Sequence, residues 1–210
     1  EVATQTMVYT REGVERAIRY AFHLAETRER PAGREAQVTL IDKANAIRAH
    51  DLWQRTFAEV AKEHPNIKTD HAYIDAACMW MVKNPEWFDV AVTPNLFGDI
   101  ITDLGAMIQG GMGMAASGNI HPGRVSLFEP IHGSAPKYAG KNVASPLAAI
   151  MAAGMMLDYL GEKTAAAAID RSIADLFANG RLKGAGTGMH PTNEVGDLVA
   201  AELKKLAASV

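Results

Sequence analysis

Two short β-branched runs, "AQVTLID" at 36–42 and "FDVAVT" at 88–93, stand between stretches whose apolar residues recur at helical spacing. No other feature constrains the chain as much, because strands that alternate with helices pack as an α/β fold. Helical periodicity runs from Glu12 to Arg28 and ends before Pro31, and again from Leu52 to Glu63, closed by His64-Pro65. Residues 72–83 form a further helix bounded by Pro85, and another starts near Asn95 and ends in the glycines at 110, 111 and 113. "RVSLFEP" at 124–130 reads as the next strand, followed by the glycine- and proline-punctuated loop "HGSAPKYAGKNVASP". Ser145 as N-cap, Pro146 at the first helical position and Gly161 past the end delimit the helix after it. Helices over 163–178 and 192–208 complete the chain. The first residues, "EVATQTMVYT", read as a strand-like segment without an initiator Met, so the chain is expected to begin mid-fold.

A formal net charge of −3 over 210 residues gives no electrostatic reason to expect nucleic acid or an anionic membrane as partner. No apolar run reaches a membrane span: "SPLAAIMAAGMMLDYLG" comes nearest and carries Asp158. Residues 1–20 are charged throughout, unlike a signal peptide. The one cysteine, Cys78, excludes an internal disulfide and reads as an inert core thiol. A cytoplasmic, reducing setting is the expectation.

The chemistry concentrates in "NLFGDIITDLGAMIQGG" at 95–111, where Asp99 and Asp103 stand one helical turn apart among apolar residues and glycines. The scarcity of polar neighbours predicts that both project into a cleft or interface, where a carboxylate needs a partner. A solvated pair near a helix start, favoured by the dipole, is the alternative. Asp75, within "YIDAACMWMV", adds a third acid in an apolar setting. Oxygen donors with few His or Cys nearby suit a hard cation such as Mg2+ or Mn2+ rather than zinc. Lys43 directly follows a strand, where it is either an exposed strand-end lysine or a cleft lysine tuned for proton transfer. The loop after "FEP" offers backbone N–H groups and polar side chains to phosphate or ribose. "GMGMAA" at 111–116 fits a dinucleotide fingerprint only in letters, because it follows a helix instead of a strand.

Four ordered motifs, "IDKAN" (41–45), "YIDAACMWMV" (73–82), "NLFGDIITDL" (95–104) and "FEPIHGSAP" with "AGKNVASP" (128–146), resemble the β-decarboxylating dehydrogenases, and within them the isopropylmalate group. The resemblance implies a two-domain architecture with a parallel or mixed sheet, the smaller dimerising and substrate domain with its arm at about 1–108 and part of the larger cofactor domain at 109–210. It implies that the chain is roughly the carboxyl-terminal three fifths of such an enzyme, inactive in isolation. Asp99 and Asp103 would hold the divalent metal from one subunit, while Asp75 and the proton-relaying Lys43 reach the same site from the other. Asn45 would lie near the nicotinamide ribose. Glu129, His132, Gly133, Ser134 and Ala135 would line NAD or NADP, with Lys137 and Tyr138 at the adenosine ribose. Ser145 takes the place of the family's adenine-contacting Asn. Tyr9 matches the dimer arm. The implied reaction is hydride transfer from a 2-hydroxy acid, most like 3-isopropylmalate, followed by loss of CO2; isocitrate, homoisocitrate and tartrate or D-malate are the alternative substrates. From the acids alone a metal-dependent hydrolase also fits, and a non-catalytic dimerising piece is the third possibility.

Overall fold

Thr10 is extended in backbone and its hydroxyl accepts the N–H of Gly13, which starts α1 (Arg11–Thr27) one residue ahead of the periodicity. Val14, Ile18, Ala21, Phe22 and Ala25 form its buried stripe. The computed structural model describes residues 1–208, and these divide into two compact units after Gly105.

In the first unit β1 (Gln37–Asp42) is the centre of a three-stranded parallel sheet, between β2 (Lys68–Tyr73) and β3 (Val90–Val92). Every β1 residue after Gln37 is buried, as a central parallel strand covered on both faces requires. Val38 and Leu40 point to one face and pack with α1, with Trp53, Phe57 and Val60 of α2 (Asp51–Ala61), and with Val90 and Val92. Ile41 points to the other and meets Ala77 of α3 (Ile74–Lys83) and Ile101 of α4 (Asn95–Ile108). Cys78, on α3, is partly buried.

One reading of this unit needs correction, and one strand carries no signal in its sequence. Residues 1–10 form no strand, because no neighbouring strand within the chain pairs with them, and an unpaired strand leaves its backbone groups unsatisfied. Lys68–Tyr73, with no apolar alternation, does form one, since it lies at the sheet edge with its first four residues exposed.

The second unit pairs β4 (Ala116–Asn119) with β5 (Leu127–Pro130) in an antiparallel ladder and adds α5 (Leu147–Tyr159), α6 (Lys163–Ala178) and α7 (Thr192–Ala208). Leu147, Ile173, Leu176, Leu182, Val195 and Val199 make its core. α5 starts one residue later than its sequence suggests: Pro146 is the cap, and Ser145 Oγ accepts the Leu147 N–H at 3.3 Å while donating to the Gly113 carbonyl at 3.1 Å. A Cβ at Gly113 would lie 2.2 Å from the Ala185 carbonyl oxygen, so only glycine admits this close backbone approach. "GMGMAA" therefore serves packing, in the turn between α4 and β4. Among the described residues no helix is long and apolar enough to cross a membrane.

Candidate functional site

The β1–β2 register pairs Asp42 with Tyr73, so Lys43 and Asp75 both emerge at the carboxyl edge of the parallel sheet, where α/β folds gather their functional groups. By strand alternation Lys43 follows Ile41 to the α3 face. Its Nζ donates to Asp75 Oδ1 at 2.6 Å and stands 5.8 Å from the centre of the Tyr73 ring. Asp75 occupies the first turn of α3 with its side chain 68% exposed. The Lys43 ammonium first, then backbone N–H groups at the helix start, hold the Asp75 carboxyl below the usual carboxylate range.

A compact turn carries Lys43. Asp42, fully buried, accepts the Ala44 N–H on Oδ1 at 3.0 Å, and His71 Nε2 stands 3.1 Å from the same oxygen. The Lys43 carbonyl accepts the N–H groups of Ala46 and Ile47 at 3.0 and 2.8 Å. Asn45 lies exposed within the turn. Sequence reasoning passed over Asp42, His50 and His71, since a single acid or histidine has no spacing to mark it.

Asp99 and Asp103 lie a turn apart on α4, as expected, but within this chain they project into no cleft. Both are exposed, and so are the apolar residues that suggested a cleft: Ile100 is 53% and Met107 65% exposed, with Leu96 and Ile108 also open. The helix has two apolar faces, and only the one bearing Ile101 and Ala106 is buried. Neither aspartate has an ion-pair partner among the described residues. Among those residues no three acidic, His or Cys side chains converge in a way that could hold a metal. The donors are hard, anionic and open, the chemistry that Mg2+ or Mn2+ would require, but the described residues of this chain bring no coordination set together.

In the second unit, Glu129, next to last in β5, accepts from Asn119 Nδ2 at 3.3 Å. The loop after it holds His132, whose Nδ1 donates to the Gly133 carbonyl at 2.9 Å, then exposed Gly133 and Ser134. Ala135 adopts a left-handed φ of 43°, a conformation costly for a residue with a Cβ. It launches a short 3-10 turn, Pro136–Tyr138, in which exposed Lys137 stands with Nζ 4.9 Å from the Tyr138 ring centre. The Ser145 hydroxyl, by contrast, is already engaged with backbone on both sides.

Residues 1–199 match the family model described as isocitrate/isopropylmalate dehydrogenase. The 3-isopropylmalate dehydrogenase of Thermobifida fusca (strain YX) is 48% identical over 203 residues, covering 95% of this chain and 55% of the relative. That of Frankia casuarinae is 47% identical over 204 residues, covering 96% of this chain and 58% of the relative. The crystal structure of isocitrate dehydrogenase from Methylococcus capsulatus superposes with a TM-score of 0.85 at 40% identity, covering 95% of this chain and 58% of that one. A β-decarboxylating dehydrogenase from Thermococcus kodakarensis superposes with a TM-score of 0.82 at 34% identity, covering 96% and 57%. The chain thus spans just over half the length of these relatives.

Proposed function

The chain belongs to the isocitrate/isopropylmalate dehydrogenase family, and from that premise we propose that it serves a metal- and nicotinamide-dependent oxidative decarboxylation of a 2-hydroxy acid, with 3-isopropylmalate as substrate. The observation that carries this reading is the Lys43–Asp75 pair at the carboxyl edge of the sheet. A lysine Nζ held at this edge by a carboxylate can take a proton from a substrate hydroxyl as the neutral amine and return it later as the ammonium. Asp75, Asp99 and Asp103 would hold Mg2+ or Mn2+, which when bound supplies Lewis-acid polarisation of the substrate's oxygens. The nicotinamide, when bound, accepts the hydride.

The site is shared between two copies: one contributes Lys43 and Asp75, the other Asp99 and Asp103. Two observations support this. The acids of one copy do not converge, and α3 and α4 leave Met79, Val82, Ile100 and Met107 open to solvent, the kind of apolar surface a partner covers. Residues 1–108 are the dimerising and substrate part in this reading and 109–210 the cofactor part. By the family resemblance Asn45, Glu129, His132, Gly133, Ser134 and Ala135 would each contact the nicotinamide cofactor and Lys137 and Tyr138 the adenosine ribose, while Ser145, standing where the family has an adenine-contacting Asn, has its hydroxyl held by the Gly113 carbonyl and the Leu147 N–H.

The test follows nicotinamide reduction in the near ultraviolet with 3-isopropylmalate, isocitrate, homoisocitrate, tartrate and D-malate offered separately. It uses the 210-residue chain and a chimera that supplies the part of a curated relative this chain does not cover. Metal-dependent reduction with 3-isopropylmalate well above the others is expected from the chimera; no reduction with any 2-hydroxy acid overturns the proposal. Asp99→Asn in the same protein should raise the Mn2+ concentration for half-maximal activity by about tenfold or more, since a neutral ligand loses the charge attraction. An unchanged titration removes Asp99 from the metal site.

The loop chemistry sets the cofactor preference. A lysine at 137 attracts a ribose 2′-phosphate, the Tyr138 hydroxyl adds a donor, and no acid stands there to repel it. NADP is therefore accepted beside NAD, and Lys137→Asp should move the ratio of kcat/KM values toward NAD by about one to two orders of magnitude, as loss of a charge-assisted contact does. An unchanged ratio would mean that Lys137 serves only solvent.

A further inference from the structure

His50 is a fully buried titratable side chain that the proposed chemistry leaves unused. It sits seven residues beyond Lys43, in the short 3-10 turn that precedes α2. Its Nδ1 accepts the Lys43 backbone N–H at 3.0 Å, and its Nε2 lies 3.2 Å from Tyr9 Oη. Tyr9 Oη itself donates to Met7 Sδ, so its oxygen is free to accept from the ring. The imidazole is enclosed by Tyr9 and Phe97, each edge-on at 5.4 and 5.6 Å between ring centres. These contacts define one tautomer: Nδ1 bare toward Lys43, Nε2 protonated toward Tyr9.

We infer that His50 is a positioning residue for Lys43, fixing the backbone at the end of β1 from one ring nitrogen while Tyr9 secures the other. The reasoning rests on the proposed role of Lys43 as the proton relay. A lysine side chain has four rotatable carbons, so its Nζ is directed only if its backbone is fixed. Asp42 holds the turn from the residue before and the one after, through Ala44, but the Lys43 N–H itself has His50 as its acceptor. Burial pushes His50 below the usual histidine range, the Asp42 charge pulling weakly the other way, so Nδ1 stays an acceptor at neutral pH. Phe97 belongs to α4, two residues before Asp99, so the same ring also braces the start of the acid-bearing helix.

The test compares His50→Phe, which keeps a ring and loses the acceptor, with His50→Asn, which keeps an acceptor at the δ position and loses volume. Both are made in the active protein. The inference expects His50→Phe to lower kcat by about 10-fold to 10²-fold, as misplacing a reacting group does, with little change in KM for the cofactor. His50→Asn should remain within about threefold of the parent despite a lower melting temperature, because packing and positioning are separate demands. If Asn proves as slow as Phe, the ring fills space and the inference fails. A double-mutant cycle gives the second arm: on a Lys43→Met background His50→Phe should cost nothing further, and an equal cost on both backgrounds overturns the inference. A Lys43→Met protein with full turnover overturns the role of Lys43 itself, whereas a slow Lys43→Met beside a fast His50→Phe overturns only the positioning. Should His50→Phe not fold, Tyr9→Phe replaces it. Faster hydrogen exchange at the Lys43 amide with a lower kcat supports the relay of contacts, and unchanged exchange and kcat overturn it.

Discussion

Lys43→Met should lower turnover by about 10²-fold or more while leaving cofactor affinity nearly unchanged, the pattern expected when an acid–base group is lost. Methionine keeps the length and the apolar stem but can neither donate nor accept the proton, and it deprives Asp75 Oδ1 of its 2.6 Å partner. The Asp75 carboxyl then returns toward its ordinary range, because the Lys43 ammonium is the largest influence holding it down. The shared-site reading adds a stricter requirement. In a heterodimer of Lys43→Met with Asp99→Asn, one site carries both lesions and the other carries neither. Random mixing makes half the dimers mixed, so activity should recover to about a quarter of the parent value. Steady-state kinetics on verified heterodimers decides the matter: no recovery places Lys43 and Asp99 in a site within one chain.

The largest stability loss is expected at Asp89, the residue before β3. Its carboxylate is 4% exposed and meets Arg30 Nε at 2.8 Å, Arg28 Nη1 at 3.2 Å and the Gln37 N–H at 3.2 Å. Arg30, itself only 14% exposed, spans to the Ala25 carbonyl of α1, so the acid ties the end of that helix to two strands. Asp89→Ala leaves Arg30 buried without its counter-charge and should cost about 3–5 kcal/mol in urea unfolding. The pH dependence has a definite sign. Burial pushes the Asp89 carboxyl up, but Arg30, the Gln37 N–H and Arg28 together outweigh it and hold the group below the usual carboxylate range. A folded value below the unfolded value of about 3.9 stabilises the fold fully above that pH and progressively less as pH falls through the folded value. The gap between parent and variant should therefore be widest near neutrality and close below about pH 4. A gap independent of pH would show that Asp89 contributes by packing alone.

How much of this was legible in the residues follows from the range over which each feature is decided. The helices that became α1, α2, α3, α6 and α7 were readable within a residue or two, because a buried stripe such as Val14, Ile18, Ala21, Phe22 and Ala25 repeats within a single element. β1 was readable for the same reason, its run of β-branched residues being buried on both faces. β2 was not: Lys68–Tyr73 pairs through backbone, its first four side chains face water, and nothing in "KTDHAY" advertises a partner. β4, "ASGN", is too short and too small-sided to show any pattern.

The candidate site divides along the same line. "IDKAN" and the acids at 75, 99 and 103 were visible as residue types in order, but type alone left a solvated acid pair and an exposed lysine as alternatives, and the roles proposed for them rest on the family resemblance. That Lys43 meets Asp75, 32 residues away, was decided by the parallel pairing of β1 with β2, which brings both chain ends to one sheet edge. The exposure of Asp99 and Asp103 was decided likewise, since an apolar helix face is a property of sequence, but whether it meets a core or open water depends on what packs there. His50 shows the limit most plainly. One histidine carries no periodicity, and its hold on the Lys43 N–H exists only because the turn after β1 folds back while Tyr9 and Phe97, from two distant segments, close around the ring. Sequence determines what recurs within an element; contacts between elements depend on the packing of the whole unit.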